Sequence, residues 1–194
     1  MRVIFIAIIL RGDVLPRVTN PAHMHILYGG ENMIYDRDAA VAYANKWAYG
    51  RNPQFYDFSD LGGDCTNFAS QCIYAGSGVM NYTPVYGWYY IDLQNRAPSW
   101  TGVNELYRFL TKNEGAGPRG VVVSLPEIKK GDIIQLRLRS ADRFDHTPVV
   151  TDEGDGTPET IIVAAHSIDS KCRPLSSYNY KELRPIHIID VGEQ

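Results

Sequence analysis

The spacing of hydrophobic positions changes near the middle of the chain. From Asp36 to Gly50 the residues Ala39, Ala40, Tyr43, Ala44 and Trp47 recur at helical intervals, with Asp36 placed to cap the start and Gly50 to stop the run. This predicts a first helix. After the turn-rich Asn52-Pro53 and the diglycine Gly62-Gly63, a second stripe of Phe68, Ala69, Cys72 and Ile73 predicts a helix over residues 66–75, ended by Gly76 and Gly78. Leu106, Tyr107 and Leu110 give a third short helix over 103–111, broken by the glycines and proline of 115–118. Beyond it the runs become wholly apolar or alternate with period two, at 121–123, 133–138, 148–151, 161–165 and 186–191. Five strands are expected, and Gly131-Asp132 and the Gly154 to Pro158 loop supply turn chemistry suited to antiparallel hairpins. Helices followed by an antiparallel sheet define an α+β fold.

The flanks and the composition narrow this further. Residues 11–34 carry Gly12, Pro16, Pro21, Gly29 and Gly30 without lasting periodicity. Residues 1–34 are therefore expected to be an arm or leader, and residues 35–194 the domain. The apolar run Val3 to Leu10 after Arg2 faintly resembles a secretory signal, but no small-residue cleavage site follows. Eight apolar residues are too few to span a bilayer, which needs about 20 in a helix. At 194 residues, 44% hydrophobic and 21% charged, the chain fits one globular domain. A net charge of -3 removes the electrostatic case for nucleic-acid binding. Three cysteines, Cys65, Cys72 and Cys172, cannot close a disulfide framework, because at least one stays free.

One of those cysteines stands where chemistry is favoured. Cys65 follows Gly62-Gly63-Asp64 at the head of the second helix, where free backbone N–H groups and the positive dipole end favour a thiolate and can hold a developing oxyanion. A cysteine there is, taken alone, more often structural. A thiol hydrolase also needs a base, and two histidines lie on strands: His146 where one begins and His166 where the next ends. If 148–151 and 161–165 pair as a hairpin, the two become neighbours and suit a base with an orienting partner. The bland reading makes both structural. Asp145 and Asp169, the latter stronger, are alternatives for the orienting group. His23, His25 and His187 receive no role. Trp88, Tyr89 and Trp100 suit a substrate groove or a core equally well. Cys65, His146, His166 and Cys172 are also ligand types that zinc prefers, although no close-paired spacing supports a metal site.

Several segments carry a resemblance: Tyr35-Asp36-Arg37 with Ala39 to Ala44, Asn52-Pro53, Gly63-Asp64-Cys65-Thr66-Asn67-Phe68-Ala69-Ser70-Gln71-Cys72, Ser99-Trp100, Gly131-Asp132-Ile133-Ile134-Gln135, Asp145-His146 and His166-Ser167-Ile168-Asp169. In this order, over residues 35 to 190, they resemble the bacterial putative amidase domain family. That family is similar to papain-like cysteine peptidases of the NlpC and CHAP kind, in which the cysteine helix packs on an antiparallel sheet or open barrel bearing the histidine. The resemblance implies Cys65 as nucleophile, His146 as general base and acid, and His166 in the place of a third polar residue. It implies hydrolysis of amide bonds in peptidoglycan stem peptides through a thioester, with no cofactor and no bound metal, in a monomer working outside the cytoplasm if the wall is the substrate. The competing expectations are a non-catalytic wall- or peptide-binding module, a zinc-binding domain, and acyl transfer in place of hydrolysis.

Overall fold

The structure, a computed structural model, describes residues 33–193. Apart from Met33 and Ile34, the expected N-terminal arm lies outside the described residues. Met33 exchanges two backbone hydrogen bonds with Val191, each 3.0 Å.

Helix α1 (Arg37–Trp47) begins where the Asp36 carboxylate accepts a hydrogen bond from the Ala39 amide at 2.9 Å, and it buries Ala40 and Ala44. Helix α2 (Cys65–Ser77) ends at Gly78, whose φ of 65° is the left-handed conformation glycine adopts freely. Gly76, expected to end this helix, lies inside it for a different reason. A Cβ there would sit 2.5 Å from the Tyr35 ring and 2.6 Å from the Asp36 carbonyl oxygen, so the chain leading into α1 can cross only over a glycine. Two further helices follow, α3 (Pro98–Thr101) and α4 (Val103–Lys112), the first too short to show a period.

The strands are β1 (Gly117–Val122), β2 (Ile133–Leu138), β3 (Val149–Asp152), β4 (Ile162–Ala165), β5 (Ser170–Pro174) and β6 (Tyr180–Gly192). They form one antiparallel sheet in the order β1-β6-β2-β3-β4-β5. The fold is α+β, with one strand more than the hydrophobic pattern predicts. Strand β5, Ser-Lys-Cys-Arg-Pro, is polar because it is a sheet edge, and β6 extends back through Tyr180 to Pro185.

Alternation along the strands separates two apolar clusters. Ile133, Val149, Ala164, Ile186 and Ile188 pack with Phe68, Ile73, Trp88, Trp100, Leu106 and the alanines of α1. Ile134, Leu136, Val150 and Val163 pack on the other side with Ile128, Ile161, Leu175 and Tyr178. Burying each large side chain contributes roughly 2–3 kcal/mol. Trp88 and Trp100 belong to this core, fully buried, with indole N–H groups bonded to Ser70 Oγ at 3.0 Å and Asn67 Oδ1 at 2.9 Å. Among the described residues no helix is long and apolar enough to cross a membrane.

Candidate active site

Helix α2 is enclosed, with 11 of its 13 residues buried, and its polar residues are paired inside the protein. The hydroxyls of Thr66 and Thr147 are bonded at 3.1 Å, Gln71 accepts from the Tyr43 hydroxyl at 2.7 Å, and Ser70 donates to the Trp100 carbonyl at 2.9 Å. The residue before the helix carries most of its anchoring. Asp64 stands in the capping position yet makes no side-chain cap, because its carboxylate is committed elsewhere. Oδ1 accepts from the Phe58 amide at 2.9 Å and from Asn67 Nδ2 at 2.8 Å, while Oδ2 lies 2.6 Å from His166 Nδ1 and 3.5 Å from Arg51 Nε. Its own amide donates to Ser167 Oγ at 3.1 Å, and Ser167 adopts a φ of 81°, a strained value for a residue with a side chain. With no side chain capping the helix, the first-turn amides of α2 keep the partial positive charge of a helix start beside Cys65.

The Cys65 sulfur rests against the backbone on either side of His146. It lies 3.9 Å from the Asp145 carbonyl oxygen, and the Thr147 amide is directed at it. Burial pushes the thiol's pKa up, while the Thr147 amide and the Thr66 hydroxyl and amide pull it down. The residue is 7% exposed. Cys72 is fully buried, Cys172 is exposed, and all three thiols are free.

His146 stands just before β3, its backbone bridged to Leu136, and is likewise 7% exposed. Its ring centre lies 5.3 Å from that of Tyr178. Burial lowers its pKa to about 4; Asp145 opposes the shift and the charge of Arg173 adds to it. Among the described residues no side-chain hydrogen bond joins His146 to Cys65, a separation common before substrate is bound.

His146 and His166 do not pair, contrary to the hairpin expectation. The hairpin itself forms, with Val149 opposite Ala164 and Val150 opposite Val163. Continued outward, this register sets Thr147 opposite His166 and leaves His146 one place out of step. The two imidazoles accordingly meet different neighbours, His146 the Tyr178 ring and His166 the Asp64 carboxylate and the Phe68 ring. Thr147 and His166 both face α2, where His166 stacks on Phe68 with ring centres 4.0 Å apart. Its nitrogens face two acceptors, Asp64 Oδ2 and the Trp47 carbonyl at 2.9 Å.

The two aspartates considered as orienting groups are also engaged elsewhere. Asp145 Oδ1 accepts from the Leu138 amide at 3.0 Å, and Asp169 makes a two-point ion pair with Arg51 at 2.9 and 3.0 Å. His187, given no role, is bonded to Asp132 at 2.7 Å. Among the described residues no group of three or more His, Cys, Asp or Glu side chains is arranged to hold a metal ion. Sequence reasoning missed Asp64, Arg51, Ser167 and Tyr178 as neighbours of the site. Asp64 and Ser167 were within reach, being in the same short segments as Cys65 and His166; Arg51 and Tyr178 carry no local signal.

The comparisons with known proteins agree with the extent of this unit. The family described as Putative amidase domain matches residues 34–189. Two relatives come from Bacillus subtilis (strain 168). The uncharacterized protein YhbB is 34% identical over 169 residues, which is 83% of this chain and 52% of YhbB. The uncharacterized protein YjcM is 29% identical over 124 residues, 60% of this chain and 28% of YjcM. The chain thus spans about half the length of the first and less than a third of the second. No solved structure matches it at a significant level. A match that takes in both Asp64-Cys65 and His146, and runs from before α1 to the last strand, shows that this chain belongs to the putative amidase domain family.

Proposed function

We propose that the chain is a cysteine-dependent hydrolase of amide bonds, with Cys65 as nucleophile and His146 as general base and acid. The observation that carries this reading is the placement of the Cys65 sulfur at the start of α2, against the backbone that flanks His146. The family supports amide hydrolysis as the reaction, and the order of cysteine helix and histidine strand agrees with the papain-like arrangement implied by the resemblance.

The chemistry follows from the environments. With its pKa held near 4, His146 is neutral around pH 7 and able to accept a proton. The thiol, raised by burial, rests protonated, so thiolate forms as the proton passes to the imidazole. The thiolate attacks the amide carbonyl carbon, and the oxyanion meets the first-turn amides of α2. His146 returns the proton to the leaving amine, leaving a thioester at Cys65. Water, deprotonated by His146, then releases the acid. His166 serves as a positioning residue that fixes Asp64, and through it the helix start. The substrate class we assign is the stem peptide of peptidoglycan.

Peptidoglycan stem-peptide fragments incubated with the protein and its variants test the reading. Activity is expected in the parent and in Cys172→Ala, lost in Cys65→Ala, and reduced at least 100-fold in His146→Ala, the usual contribution of a positioned base. Activity that survives Cys65→Ala overturns it.

A further inference from the structure

Strand β5 and the turn after it bring three polar groups beside His146 that no protein partner fully uses. The guanidinium of Arg173 lies 3.6 Å from the centre of the Tyr178 ring, held there by bonds from Nε to Ser177 Oγ at 2.8 Å and from Nη2 to the Ser177 carbonyl at 3.3 Å. Several arginines of the domain pair with carboxylates: Arg37 with Asp132, Arg51 with Asp169, Arg119 with Asp190 and Arg137 with Glu182. Among the described residues Arg173 has no such carboxylate.

The hydroxyls of Tyr178 and Ser170 add a second, independent observation. The two residues are 8% and 9% exposed and their hydroxyls are sealed from solvent; Ser170 and Arg173 stand close enough to the phenol to lower its pKa, but neither hydroxyl has a partner in good hydrogen-bond geometry. Ser170 stands next to the phenol. A buried hydroxyl without a partner costs about 1–3 kcal/mol, so two together mark a place prepared for something else. The location is fixed by charge as well as by contact. Arg173 acts on His146, Cys65 acts on the Tyr178 hydroxyl, and the His146 and Tyr178 rings are in contact.

A guanidinium and two hydroxyls can all donate, and no carboxylate stands among them to accept. A neutral amide would leave the guanidinium unmatched, whereas a carboxylate accepts from all three through its two oxygens. The Tyr178 ring under Arg173 also fixes the plane of the guanidinium in advance. We propose that Arg173, Tyr178 and Ser170 form a subsite for a carboxylate carried by the substrate next to the amide attacked by Cys65. This inference rests on the reading of Cys65 as the nucleophile.

Two alkylating agents of nearly equal size test it: iodoacetate, which carries a carboxylate, and iodoacetamide, which does not. The rate at Cys65 is read by peptide mapping, so that exposed Cys172 does not interfere. In Arg173→Gln and in Tyr178→Phe the iodoacetate rate is expected to fall roughly tenfold, the loss of one charge-assisted hydrogen bond, with the iodoacetamide rate held within about twofold. Tyr178→Phe should also melt no lower than the parent, since it removes only an unpaired hydroxyl. An unchanged ratio of the two rates in both variants overturns the subsite alone. Failure of Cys65 to react with iodoacetamide in the parent overturns the nucleophile, and the subsite with it.

Discussion

Asp64 Oδ2 and His166 Nδ1 lie 2.6 Å apart, and neither side chain reaches solvent. Through this contact the residue that precedes Cys65 is tied to the end of β4. The other imidazole nitrogen carries the tie on to the last residue of α1, Trp47. Three elements therefore meet one residue away from the sulfur.

Breaking that junction should be costly in two ways. Asp64→Asn is expected to lower stability by about 3 kcal/mol, the upper cost of leaving buried hydrogen-bonding groups unmatched. It should also slow alkylation of Cys65, because the helix start loses its anchor. Urea unfolding and labelling of the same samples check this. A loss below about 1 kcal/mol would remove the junction from the account.

A second buried aspartate provides the contrast. Asp132 holds Arg37 at 2.6 Å, His187 at 2.7 Å, and the amides of Lys129 and Ile188 at 2.8 and 2.9 Å. It lies four residues before Leu136, the residue opposite His146, or about 13 Å along the strand. Asp132→Asn should cost a similar 3 kcal/mol in urea unfolding. Under native conditions, however, it should leave the labelling of Cys65 unchanged.

The pH response follows from His146. Its pKa is about 4 when folded, against 6.5 for an unperturbed histidine, so between these values the unfolded chain binds the extra proton. The contribution is fully present above about pH 6.5 and is lost as pH falls toward 4, amounting to about 3 kcal/mol over that window. His146→Gln should flatten this part of the stability curve relative to the parent. The acid limb of activity should likewise lie near pH 4 to 5. A limb near 6.5 would mean that the imidazole is not buried in the working state.

Gly76→Ala tests how the helices cross. In an open helix alanine is favoured over glycine by about 1 kcal/mol. Here the new methyl meets the Tyr35 ring, which cannot withdraw, because it is buried and its hydroxyl donates to the Gly131 carbonyl at 2.9 Å. Overpacking costs typically 1–3 kcal/mol, so a net loss of about 1 kcal/mol or more in thermal or urea unfolding is expected. An increase in stability would show that the crossing is looser than described.

The parts of the fold that sequence reasoning reached are those that bury apolar side chains in quantity. The apolar stripes of α1, α2 and α4 write a helical period into the sequence, and β2, β3 and β4 read as apolar runs because both of their faces are buried. Strand β5 does not, because an edge strand of Ser170, Lys171, Cys172, Arg173 and Pro174 buries little and repeats nothing. Cys65 and His146 could be chosen from their places at a helix start and a strand start. The partnership assigned to His166 could not be checked that way, because a register known only to within one residue does not fix which face a side chain takes. Arg173 lies on β5, the element that the pattern omits, and Tyr178 ends the turn that follows it.

Helix α2 turns no face to solvent. A segment enclosed in this way opens only when the whole domain opens, so its amide protons should be among the last to exchange, and the sulfur it carries keeps its place for the lifetime of the native state. The edge strand and its turns can fray and be rebuilt around that fixed point. On the proposed reading of Cys65 as nucleophile, change in what the protein accepts falls to the rim, while the reaction stays with the helix.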